Sequence, residues 1–161
     1  MLQAQLAAQG FNSLRSLLGH KPGVDVPGLL RVYSAIDEFK IYFEHWKPYV
    51  QTLAKLSDVS WAIVSEDRPR KMVFAPVPHL GEVGLPVPEA FDLEKLRDNL
   101  KKKLDETSGH LERKSRLAQD LSFREKASQE TREAIVLEVI KLNNESELLR
   151  HQINYLDLVD L

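Results

Sequence analysis

The chain has 161 residues, 43% of them apolar and 29% charged, with a formal net charge of −2. That length suits one ordinary domain or a small domain with an appendage, and the near-neutral balance excludes a global positive field that would draw in nucleic acid or an anionic membrane. Cysteine is absent, which excludes disulfides, thiolate metal sites and thiol nucleophiles and fits a reducing cytosol.

No apolar run approaches the ~20 residues of a membrane-spanning helix, and the start, Met1-Leu2-Gln3-Ala4-Gln5-Leu6, lacks the basic and then long apolar stretch of a secretion signal. A cytoplasmic protein with no membrane partner is expected. Residues 1–18 carry a helical leucine stripe (Leu2, Leu6, Leu14, Leu17, Leu18) interrupted by Gly10, with Asn12 or Ser13 able to cap a second, shorter helix. Arg15 is the lone charge there. So little charge suggests a segment that packs on something, including something outside this chain.

Residues 19–28 are punctuated by Gly19, Pro22, Gly23, Pro27 and Gly28 and read as a loop. Residues 29–33 are a strand candidate. Ile36, Phe39, Phe43 and Trp46 then fall on one helical face, with Ser34 as the N-cap. Pro48 disfavours the interior of a helix and reads as the start of a second segment, residues 48–56. Residues 57–65 and 72–77 alternate as strands, Pro76 suggesting an edge position for the latter. Residues 82–87 alternate Val83, Leu85 and Val87 toward one face. The expected fold class is α+β, a small three-stranded sheet with a helix, at residues 24–90, of marginal stability alone.

Composition changes after residue 90: proline disappears and glycine falls to Gly109. Asp92 is a good N-cap for a helix running to about residue 121, with Leu93, Leu100, Leu104, Leu111, Ala118 and Leu121 in three-four spacing. Arg97, Thr107 and Lys114 intrude on that seam. Residues 122–131 lack a seam and hold cap-type residues. The second helix is cleaner: Ile135, Val139, Leu142, Ser146, Leu149, Ile153 and Leu156 step by four and three without a break. Residues 91–161 are therefore expected to form a long antiparallel two-helix coiled-coil arm, about 40 Å long at ~1.5 Å per residue.

Basic residues crowd the first helix and the turn of this arm, and phosphate contacts need such residues. Interleaved acids allow the plainer reading of a solvated face. The clean second seam equally allows coiled-coil self-association or recruitment of another helix. The five histidines lie on different elements without ligand spacing, and no Gly-rich phosphate loop or Gly-x-Ser-x-Gly elbow is present. No metal, cofactor or catalytic residue is expected. Trp46 and Trp61 read as core rather than as base-stacking platforms.

Several strings, taken together in order, resemble the C-terminal part of bacterial-type valyl-tRNA synthetase. They are His20-Lys21-Pro22-Gly23 with Val26-Pro27 and Leu29-Leu30-Arg31; His45-Trp46-Lys47-Pro48-Tyr49-Val50 with Leu53-Ala54; Gly81-Glu82-Val83-Gly84-Leu85-Pro86-Val87; Asp92 with Leu96; and Phe123-x-x-Lys126-Ala127 with Glu138 beyond. The resemblance starts near Arg15 and runs to the end. It implies that residues 1–23 are a remnant of the anticodon-binding bundle with its loop, and that the arm binds the outer corner of tRNA, where the D and T loops meet. It makes Lys101, Lys102, Lys103, Arg113, Lys114, Arg116, Arg124 and Lys126 the candidate tRNA contacts. The synthetase signatures His-Ile-Gly-His and Lys-Met-Ser-Lys-Ser are absent, and Ser128 stands where the family has proline. The chain is thus expected to be no enzyme on its own but part of an ATP-dependent aminoacyl-tRNA ligase, working with synthetase catalytic and anticodon-binding domains, or else a separate short protein derived from one.

Overall fold

The computed structural model describes residues 1–21, 23–33, 37–159 and 161. The proposed cap Ser34 and the stripe residue Ile36 lie outside the described residues. The chain divides into two compact units, residues 1–91 with 157–161, and residues 92–156.

In the first unit the order is α1 (Leu2–Leu17), β1 (Pro27–Val32), α2 (Asp37–Ala54), β2 (Asp58–Ile63), β3 (Met72–Val77) and β4 (Gly81–Pro86). All four strands join one sheet in the order β2-β1-β4-β3. The expected three-stranded sheet is therefore one strand short. Helix α2 is long enough to carry the chain back for parallel pairing of β2 with β1. The β3–β4 hairpin then occupies the other side of β1 through antiparallel β4. Strand β3 ends up at the edge, where the missing N–H of Pro76 breaks no ladder.

Helix α1 is one continuous helix, not two. It runs through Gly10 because Gly10 sits against β4: a Cβ there would lie 2.7 Å from a Val83 methyl. Ala4, Ala7, Ala8, Phe11 and Leu14 are buried, and the helix packs on α2, β3 and β4. Its low charge thus has its cause inside this chain. Arg15 fastens the C-terminal end, donating from Nη1 to the Lys55 carbonyl and from Nη2 to the Lys21 carbonyl, both at 2.8 Å.

Helix α2 also runs unbroken, with Pro48 inside it. An interior proline costs about 3 kcal/mol or more, and burial along the helix offsets it. Phe43, Val50 and Ala54 are fully buried. Phe39 stacks edge-on against Trp46 and Trp61, with ring centroids 6.1 and 5.5 Å apart. Both tryptophans are half-buried and packed on other rings, as members of the core would be.

The sheet face away from the helices carries a buried charge cluster. Arg31, 2% exposed, pairs with its cross-strand neighbour Glu82 and donates to the Val64 carbonyl at 2.9 Å and to the Glu66 carbonyl. Arg68 holds the same Glu82, with Nε 3.1 Å from Oε1, and both guanidinium groups lie over the Phe74 ring. The Coulombic gain needs these added hydrogen bonds to offset desolvation. Their result is a fixed path for the β2–β3 loop.

The second unit contains α3 (Leu93–Gln119), the short α4 (Leu121–Lys126) and nearly all of α5 (Gln129–Asp157). The expected two-helix arm has a third helix in its turn. Asp120 produces it: its extended backbone ends α3, and its carboxylate accepts from the Phe123 N–H at 2.8 Å to start α4. Ser128 then caps α5, its Oγ accepting from the Thr131 N–H at 3.2 Å. Serine at this position thus has a structural task.

Candidate nucleic-acid interface

The two long helices of the second unit run antiparallel. The Arg97 guanidinium donates to the Leu156 carbonyl at 3.1 Å, Lys103 pairs with Glu145 at 3.2 Å and Lys114 with Glu138 at 2.6 Å. Each partner on α5 moves toward the turn as its partner on α3 does. The α5 seam is as its spacing predicts: Ile135, Ser146, Leu149, Ile153 and Leu156 are buried, Val139 and Leu142 half-buried. On α3, Leu93, Leu100, Leu104, Leu111 and Ala118 turn inward to varying degrees, while Leu121 is 72% exposed because Asp120 has already ended the helix. The seam intruders are accommodated in two ways: Arg97 and Lys114 reach across to α5, and Thr107 is buried.

The eight candidate contact residues do not form one patch. Successive helical residues advance by ~100°, so Lys101, Lys102 and Lys103 sweep about 200° of circumference and cannot share a face. Lys103 turns to the edge facing α5 and pairs with Glu145. Lys101 and Lys102 are exposed and have no ion-pair partner among the described residues. The acids Asp98, Asp105 and Glu106 are interleaved on the same outer surface, so this stretch makes little net field.

A second group sits about 20 Å farther along at ~1.5 Å per residue, around the turn. Arg113 is exposed and donates to His110 Nδ1 at 3.2 Å. Arg116 is held by Glu112 one turn back, and Lys114 is occupied by Glu138. Arg124 and Lys126 occupy the last turn of α4, where cations oppose the negative end of the helix. Both are exposed without an ion-pair partner among the described residues. Asp120, the acid between these groups, is committed to its cap.

Beside these cations the turn encloses a groove of about 830 Å³, lined by Ala118, Phe123, Arg124, Gln129, Arg132, Glu133, Val136 and Leu137. Most of its exposed lining is apolar, and two guanidinium groups, Arg124 and Arg132, line it together with the Glu133 carboxylate. Charge and spacing point to the cations but miss the groove. The available signal is apolar residues off the seam: Leu117, Leu121, Val136, Leu137 and Ile140 are all more than a third exposed. The arrangement offers hydrogen-bond donors beside apolar surface. No group of residues able to hold a metal ion occurs among the described residues, and none of their helices is long and apolar enough to cross a membrane.

No protein-family model and no curated protein matches this chain.

Proposed function

We propose that this chain is a tRNA-binding module of the kind found at the C-terminus of valyl-tRNA synthetase, its helical arm gripping the tRNA elbow to orient it for a catalytic domain carried elsewhere. The observation that carries the reading is the arrangement at the turn: Arg113, Arg124 and Lys126 are exposed on α3 and α4, and Arg124 also lines, with Arg132 and Glu133, a groove whose other walls include Phe123, Val136 and Leu137. Phosphates would take the cations, and unpaired or terminal bases present the flat apolar faces that suit such walls. The ordered strings shared with the synthetase family supply the choice of tRNA over other polyanions. Under this reading the contribution is binding and orientation, with activation of the amino acid left to other domains.

The test is a binding titration of the full chain against tRNA at several salt concentrations. Replacing Arg113, Arg124 and Lys126 together by alanine should weaken binding and reduce the salt slope by about one for each phosphate that the variant no longer neutralises. Unchanged affinity in that variant overturns the assignment.

A second reading, self-association, is favoured by one observation. Val136, Leu137, Ile140 and Leu148 are each about half exposed or more on α5, and the regular seam is already occupied within the arm. Under this reading a second copy docks on that outer surface. Sedimentation across a concentration series separates the two: a concentration-dependent dimer with no tRNA shift supports this reading over the first.

A further inference from the structure

The arm is unevenly packed along its length. In the part remote from the turn, α3 contributes the buried Leu93 and the half-buried Leu96, Leu100 and Leu104, leucine at each of these positions, and α5 answers with the buried Leu149, Ile153 and Leu156. Beyond residue 107 the α3 seam holds Leu111, Lys114, Ser115 and Ala118, all only half-buried. Opposite them on α5, Ile135 alone is buried, and Val139 and Leu142 are half-buried. Less apolar surface leaves water on this half, so less free energy holds the helices together there.

The change falls at one level. The antiparallel register set by the Arg97–Leu156 and Lys114–Glu138 contacts brings Thr107 level with Ser146. Thr107 is 6% exposed and Ser146 fully buried, and the Ser146 hydroxyl has no hydrogen-bond partner among the described residues. A buried unpaired hydroxyl weakens the layer that contains it. Two residues on from Thr107, Gly109 lies inside the continuous α3 with no packing reason, since a Cβ added there meets no atom within 4 Å. Glycine inside a helix favours the open chain.

We infer that the arm is built in two segments joined at Thr107, Gly109 and Ser146, and that the distal segment, residues 110–143, opens cooperatively while the proximal segment stays formed. The inference holds whatever the arm binds. Its consequence is that the groove and cations at the turn sit on a segment able to yield to a partner without unfolding the base of the arm.

Native-state hydrogen exchange on the full chain tests this. Amides of residues 110–143 should share one opening free energy, below that of residues 94–104 and 149–156, with a step at the 107/146 level. Gly109→Ala should slow distal exchange about fivefold, and adding Ser146→Ala should slow it further, with proximal exchange unchanged. Equal protection in both segments overturns the inference. So does a smooth gradient declining from the turn, which is ordinary fraying, or a Gly109→Ala effect equal in both segments.

Discussion

Lys114 Nζ lies 2.6 Å from a Glu138 carboxylate oxygen, bridging the two long helices of the arm. This pair divides the basic residues of α3 into those that hold the arm together and those that face outward. Both side chains are more than a third exposed, so the bridge is weak. A double-mutant cycle with Lys114→Ala and Glu138→Ala should return a coupling of about 0.5 kcal/mol that shrinks as salt is added. Urea denaturation of the four chains measures it. A coupling above about 2 kcal/mol would mean that the bridge is desolvated.

The outward-facing cations should behave differently. Arg124→Ala with Lys126→Ala should lower tRNA affinity while leaving the urea midpoint nearly unchanged, because neither residue has an ion-pair partner among the described residues and surface substitutions of this kind stay within about 0.5 kcal/mol. Lys114→Ala should show the reverse pattern, a change in stability larger than any change in binding. Titrations and melts on the same preparations separate the two.

Ser128→Ala should destabilise the chain by about 1 kcal/mol, since it removes the oxygen that accepts the Thr131 N–H. Ser128→Asp keeps an acceptor at the N-terminus of α5 and should restore the loss. Thermal melts of the three proteins decide; no loss in the alanine variant would mean that water satisfies this end of the helix equally well.

Gly10→Val should cost about 1–3 kcal/mol or prevent folding of the first unit, because even a Cβ at Gly10 comes within 2.7 Å of Val83. The relieving change is Val83→Ala on β4. If the strain lies between these two positions, the double variant should be more stable than the Gly10→Val chain, as read by circular dichroism melts.

His20 gives a pH dependence. Burial holds its pKa below 6.5, and nearby Arg15 pushes the same way, outweighing the bond from its ring to the Pro86 carbonyl, which acts in the opposite sense. The unfolded chain therefore takes up the proton first as pH falls. The stability His20 confers is complete above about pH 6.5 and is lost as pH drops through 6.5 toward the folded pKa. Melts at about pH 7.5 and 5.5, on either side of the imidazole range, should show a larger loss in the wild-type chain than in His20→Gln. Equal losses would show that His20 does not titrate on unfolding.

Much of this architecture is legible from periodicity. The α5 seam repeats without error, so its inward residues follow from spacing alone, and Pro76 announces an edge strand. What periodicity cannot supply is tertiary compensation. Gly10 and Pro48 both read as breaks, yet the packing of α1 on Val83 and of α2 on its aromatic neighbours carries the helices through them. The fourth strand is visible as an alternating run, but its place in the sheet depends on partners distant in the chain. At the candidate interface, the lysine triplet looks like a patch in one dimension and disperses around a helix in three. The groove at the turn is hidden because it is made by residues from three helices, none of them distinctive alone.

Arg15 binds the carbonyls of Lys21 and Lys55, and Phe11 on the same helix fills the space left by Gly28, where an added Cβ would come within 2.7 Å of the ring. A shortened version beginning after α1 would strip a lid from the sheet, leaving two carbonyls without their donor and a phenyl-sized cavity above β1. Any shortened form that is to retain the sheet should keep α1 with it.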